Sequence, residues 1–193
     1  MELLQQQYDQ LQQEHDQTVK ELSEIVHRQQ SFDQAITLLK LLMDGLSSEH
    51  IQHLSDLLNT TLATIFYDRK YSLELHTEQQ RNQNVLQLFL HEQNPDGTEV
   101  ITSINDNGYG VQSVIGFTLQ VYYILYNKLQ PILFLDEAFG NLSSDYLPYL
   151  KSLLNSLTQR YNFRFILITH DQRLEQLSDH SYRVVQGKVT PIQ

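Results

Sequence analysis

Apolar residues recur in alternating steps of four and three from Leu4 through Tyr8, Leu11, Leu22, Ile25, Phe32, Ile36 and Leu39 to Met43, with His15, Thr18 and Gln29 as polar members of the same seam. That 3.5-residue repeat predicts a coiled-coil arm over residues 1–44, uninterrupted by Pro or Gly. A long amphipathic helix packed on its own domain satisfies the same pattern. Gly45 ends the run, and Ser47-Ser48-Glu49 offers a fresh N-cap. Ile51, Leu54, Leu57, Leu58, Leu62, Ile65 and Phe66 then mark one face of a second helix.

Beyond Tyr67 the period falls to two. Tyr71, Leu73 and Leu75 alternate with Ser72, Glu74 and His76, and Leu86, Leu88 and Leu90 alternate with Gln87, Phe89 and His91. Asn94-Pro95-Asp96-Gly97 is turn chemistry, so the second run is expected to fold back on residues 98–104 as part of an antiparallel meander with one covered face. A polar loop, Asn105-Asp106-Asn107-Gly108-Tyr109-Gly110, leads into residues 111–126, which are apolar on nearly all sides. They predict a buried helix, although the β-branched content and Gly116 also fit a strand.

The remainder alternates strand and helix. Pro131 precedes Ile132-Leu133-Phe134-Leu135 and the acids Asp136-Glu137, a helix is expected near 144–158, and residues 163–169 are expected to form a second buried strand ending in His170-Asp171. A short helix near 174–177 and a closing hairpin turning at Gly187 complete the chain. Uniformly apolar strands alternating with helices imply an α/β fold whose mostly parallel sheet is covered on both faces. Residues 45–193 are thus expected to form one lobe beside the coiled-coil arm.

Composition narrows the chemistry. The 193 residues are 40% hydrophobic, enough for a core, and carry 13 Lys+Arg against 23 Asp+Glu, a net charge of −10. An acidic chain binds phosphate backbones poorly, so contact with DNA needs a local patch or a partner. Cysteine is absent, which excludes disulfides, thiol nucleophiles and Cys-ligated zinc. No apolar run reaches the roughly 20 residues of a spanning helix, and the Gln-rich, acidic N-terminus is unlike a signal peptide. A cytoplasmic protein without membrane partners is expected. His50 and His53 sit three apart on a helix, but no third ligand accompanies them.

In a parallel sheet, ligands sit at the carboxyl ends of the strands. Asp136 there suits magnesium, because a strand end fixes a hard oxygen ligand. Glu137 beside it can orient and deprotonate an attacking water, and His170 on the neighbouring strand can hold that water or a γ-phosphate. Capping of the next helix selects acids at the same place.

The order of these elements resembles the C-terminal half of an ABC-type ATPase head of the structural-maintenance-of-chromosomes (SMC) and SbcC-like class. Ile132-Leu133-Phe134-Leu135-Asp136-Glu137 is similar to a Walker B motif, Ala138-Phe139-Gly140-Asn141-Leu142-Ser143 occupies the D-loop place, and Ile166-Leu167-Ile168-Thr169-His170-Asp171 looks like the H-loop. The resemblance implies ATP and Mg2+ as cofactors, Asp136 as metal ligand, Glu137 and His170 as catalytic residues, and Gly108, Gly110 and Asn141 as nucleotide contacts. Either Asn107-Gly108-Tyr109-Gly110 or Tyr109-Gly110-Val111-Gln112 fills the place of the family's Ser-Gly-Gly signature, which is not present as such. Ser143 stands where the family has Asp, and Ala138 where Pro is common.

No G-x-x-x-x-G-K-[ST] occurs, so the loop that cradles the β- and γ-phosphates is not in this sequence. The resemblance therefore implies half a head. A lobe bearing Walker A would come from another chain or a missing segment, with a second head, DNA and a nuclease subunit as further partners. The resulting activity would be ATP hydrolysis in DNA repair, recombination or DNA-based defence. The alternatives are a non-catalytic coiled-coil regulatory subunit that keeps the head fold, and another P-loop class.

Overall fold

The computed structural model describes residues 48–80, 83–94 and 96–192, together with Gln12 and Gln17. Those two glutamines apart, the expected coiled-coil arm lies outside the described residues. Helix α1 (Ser48–Ile65) carries Glu49 in its first turn, where a carboxylate complements the helix dipole. Leu54, Leu58, Leu62 and Ile65 recur at helical spacing and are buried. Asn59 projects from α1 onto the first strand, accepting from the Leu73 N–H at 2.6 Å and donating to the Leu73 carbonyl at 3.2 Å. One amide thus pairs with a strand residue as a neighbouring strand would.

Strands β1 (Lys70–Gln80), β2 (Gln83–Gln93) and β3 (Glu99–Ser103) form the expected meander in the order β1-β2-β3. The register opposes Leu73 to Leu90 and Leu75 to Leu88, so the apolar positions share the face turned to the helices. On the outer face His91 lies 2.9 Å from Glu99 and 3.1 Å from Glu74, and His76 lies 3.0 Å from the same Glu74. One imidazole therefore joins all three strands.

The hydrogen bond to Glu99, followed by that to Glu74, raises the pKa of His91 above its ordinary 6.5. The pKa of Glu74 is lowered from 4.5, mainly by His76. The His91 contribution is complete below about pH 6.5 and disappears as pH rises through the raised value; the Glu74 contribution is lost only as pH falls below about 4.5. Amide-exchange protection of β1–β3 is expected to be greater at pH 6 than at pH 8.5. His91→Gln should remove that difference; a difference that survives in the variant would place its origin elsewhere.

Helix α2 (Tyr109–Tyr126) is buried along most of its length, including Gly116, and the helical alternative for this segment is the one realised. Phe117 packs on Phe139 at 5.4 Å and on Phe165 at 5.8 Å between ring centres. Helix α3 (Leu147–Tyr161) starts with Pro in its first turn and buries Leu147, Leu150, Leu154 and Leu157; Asn162 ends it in the left-handed conformation. Strands β4 (Ile132–Asp136) and β5 (Arg164–Ile168) pair in parallel. A 3-10 turn (Gln172–Leu177) leads to the hairpin of β6 (Ser181–Val185) and β7 (Lys188–Ile192), with Gln186 and Gly187 both at positive φ as a two-residue turn requires.

One expectation needs correction. The parallel pair is not covered on both faces: Leu133, Leu135, Phe165 and Leu167 point into the core, whereas Ile132, Phe134, Ile166 and Ile168 are exposed. Nothing among the described residues packs over that second apolar face.

Candidate functional site

The site is built at the carboxyl ends of β4 and β5. The apolar run of β4 ends at Asp136, which is exposed and opposite Ile168 in the register. Directly opposed residues of parallel strands share a face, so Asp136 lies on the uncovered side with Phe134 and Ile166. The Glu137 N–H donates to the Ile168 carbonyl at 2.8 Å, extending the ladder by one bond. The chain then turns sharply: Glu137 has φ 47° and Phe139 φ 67°. Neither is glycine, so both positions are strained, and the buried ring of Phe139 against Phe117 helps to hold the turn.

That turn delivers the Glu137 carboxylate to the end of β5. His170 Nδ1 lies 2.9 Å from Glu137 Oε1, the His170 N–H donates to the same oxygen at 3.2 Å, and the Thr169 hydroxyl donates to Oε2 at 3.3 Å. The Glu137 and His170 side chains remain 43% and 67% exposed. The carboxylate is oriented by three donors yet open to a ligand arriving at the sheet edge. Among the described residues no group of three or more His, Cys, Asp or Glu could hold a metal ion. The donor set at Asp136 suits an ion held by one carboxylate and completed by phosphate and water, as magnesium commonly is, and does not suit an all-protein metal cage.

The other expected residues gather at a second place. Gly108 caps α2, with nothing within 4 Å of where a Cβ would stand. The loop before it is braced by amides: Gln112 donates to the Ile104 and Asn107 carbonyls, and Asn107 to the Ser103 carbonyl and the Thr102 hydroxyl. A Cβ on Gly110 would lie 3.1 Å from the Asn141 carbonyl, so this glycine allows the start of α2 to approach residues 140–144 closely. Arg69, Glu92, Asp106, Gly108, Gly110 and Asn141 are among the residues lining a cavity of about 320 Å³. The structure thus brings Glu137 to His170 beside Asp136, and separately brings Gly108 and Gly110 to Asn141.

Sequence reasoning missed Arg173. Its guanidinium donates to both carboxylate oxygens of Asp171, to the Gly140 carbonyl at 2.9 Å, to the Ser144 hydroxyl at 3.3 Å and to the Leu142 carbonyl at 3.5 Å. This bonding lowers the pKa of Asp171 below the usual carboxylate range. Most of the loop groups involved are main-chain carbonyls, and the only sequence signal was the commonplace spacing Asp171-x-Arg173.

The parallel strand pair thus presents acids and an imidazole at one edge, beside a meander and a buried helix. Comparison with solved structures shows that the chain has the fold of SMC ATPase head domains. It superposes on the SMC head with an extended coiled coil bound to the C-terminal domain of ScpA from Pyrococcus furiosus with a TM-score of 0.55 and 15% identity, covering 74% of this chain and 35% of that one. For the head with coiled coil and joint from Pyrococcus yayanosii the TM-score is 0.54 at 12% identity, over 74% and 26%. A chain solved in work on ATP-driven dimerisation and DNA-stimulated activation of SMC ATPases gives 0.53 at 14%, over 72% and 83%. Among curated proteins, the lipoprotein-releasing system ATP-binding protein LolD of Treponema pallidum is 35% identical over 57 residues. LolD of Colwellia psychrerythraea matches to the same extent. Those 57 residues are 30% of this chain and 25% and 22% of the two relatives, so the match spans about a quarter of their length. No family model matches the chain. No helix among the described residues is long and apolar enough to cross a membrane.

Proposed function

We propose that this chain is the C-terminal lobe of an SMC/SbcC-like ATPase head, which binds and hydrolyses ATP once joined by a lobe carrying Walker A. The observation that carries this reading is the convergence of Glu137 and His170, 2.9 Å apart at the tips of two parallel strands, beside an acid on an uncovered apolar face. A lobe packed on Phe134, Ile166 and Ile168 would bring its phosphate-binding loop to the edge where Asp136 stands.

In the assembled head Asp136 holds magnesium, which when bound supplies charge neutralisation at the phosphates. Glu137 accepts a proton from the attacking water at its carboxylate, a task that its half-exposed position and three orienting donors permit. His170 steadies Glu137 and faces the γ-phosphate. Gly108 and Gly110 in the register Asn107-Gly108-Tyr109-Gly110, with Asn141, meet nucleotide held by a second head, because Gly108 is the open cap of α2. In this reading the glycine loop and Glu137 serve two different composite sites. The DNA repair, recombination or defence role, a nuclease partner and cytoplasmic placement rest on the resemblance to the SMC/SbcC class.

The test is reconstitution. The chain alone is expected to show no ATP turnover and no micromolar ATP affinity; adding a Walker A lobe from a neighbouring gene or an upstream reading frame should produce both. Micromolar binding by the chain alone would contradict the half-site reading. Association with that lobe without turnover would leave the chain as a regulatory subunit.

A further inference from the structure

The strand-end cluster is not isolated. The Asp171 N–H donates to the Thr169 hydroxyl oxygen at 3.0 Å, and that hydroxyl donates to Glu137 Oε2. Asp171 in turn is held by Arg173, whose remaining donors engage Gly140, Leu142 and Ser144. A chain of hydrogen bonds, continued through Asp171 itself from its carboxylate to its N–H, therefore runs from loop 140–144 by way of Arg173, Asp171 and Thr169 to the carboxylate of Glu137. The same loop is joined to Glu137 through the main chain by the strained turn at Glu137 and Phe139. Two routes, one covalent and one through a guanidinium, connect the same ends.

From this geometry we infer that Arg173 is a positioning residue, coupling the placement of loop 140–144 to the orientation of the Glu137 carboxylate. This inference rests on the ATPase reading above. A planar fork with five donors can bridge a carboxylate and two carbonyls at once, which an ammonium cannot do from one place. The Arg173 side chain is 45% exposed, so the clamp contributes little to global stability, and its effect is on geometry. A partner head that presses on loop 140–144 through Asn141 would move the guanidinium, and with it Asp171 and Thr169, before anything touches Glu137. Contact with the second head would in this way be reported to the base.

Arg173→Ala removes the clamp while sparing the main-chain cap, since the bond from the Arg173 N–H to Asp171 Oδ1 at 2.9 Å does not use the side chain. Two measurements on the full chain decide the matter. In amide exchange, the His170 and Asp171 N–H groups should exchange at least about tenfold faster in Arg173→Ala, with amides inside β5 changed less than about twofold. In the reconstituted head, kcat should fall about tenfold or more while the KM for ATP stays within about twofold, the pattern of a group acting only on the chemical step. Arg173→Lys, the gentler variant should the alanine fail to fold, is expected to resemble alanine in both. Unchanged exchange, full rescue by lysine, or a parallel change in kcat and KM would each overturn the coupling. If wild-type protein shows no turnover with its Walker A lobe, the ATPase reading falls, and the exchange data still decide whether loop and carboxylate are linked.

Discussion

Glu137→Gln is expected to lower ATP turnover of the reconstituted head by about two to four orders of magnitude, the range for losing a general base. The substitution is close to isosteric, and its amide oxygen can still accept from His170 at the position now held by Oε1. The strand end should therefore stay in place, and the Ile168 carbonyl still receives the main-chain N–H of residue 137. What disappears is the basic oxygen that would take the proton of water. ATP affinity should be preserved and the nucleotide-bound assembly should accumulate, because the slowed step follows binding. Single-turnover hydrolysis and equilibrium ATP binding, measured on the same preparation, separate the two effects. Turnover unchanged in the variant would remove Glu137 from the role of base, and equal losses in binding and turnover would make it a structural residue of the edge.

Much of the framework was legible because the period of the pattern changes where the elements change. Leu73 and Leu90 are directly paired and buried, as the alternation at residues 71–75 and 86–90 implies. The helical spacing of Leu54, Leu58 and Leu62 predicts the buried face of α1. The strand ends were legible too, since an apolar run that stops at Asp136-Glu137 or at His170-Asp171 announces its own edge. Three things were not. In Ile132-Leu133-Phe134-Leu135 every position is apolar, so no alternation distinguishes the buried Leu135 from the exposed Phe134. The two candidate registers of the glycine loop share Gly110, and only the helix start at Tyr109 singles out Gly108 as its cap. Arg173 bonds the main-chain carbonyls of Gly140 and Leu142, and a carbonyl oxygen belongs to every residue type alike.

The uncovered face supports the second large effect. Phe134 is 65% and Ile168 55% exposed, and with Ile132 and Ile166 they make an apolar surface on a two-stranded sheet whose other side is core. A sheet this small is not stable by itself, and apolar side chains on both faces suit packing on both. Phe134→Asp is therefore expected to weaken association with the Walker A lobe by about 30- to 1,000-fold, as for a central aromatic anchor worth roughly 2–4 kcal/mol. The unfolding temperature of the chain alone should barely move, since the ring has little burial to lose. Ile101→Asp is the matched control: Ile101 is 56% exposed on the outer face of the meander, equally apolar, and away from the parallel pair. It should leave the affinity within about twofold, in the ordinary range for a surface change outside the contact. Titration calorimetry with the isolated lobe reads both variants. If Phe134→Asp binds as tightly as the wild type, the partner does not dock on this face, and the proposal that a second lobe completes the head across β4 and β5 fails.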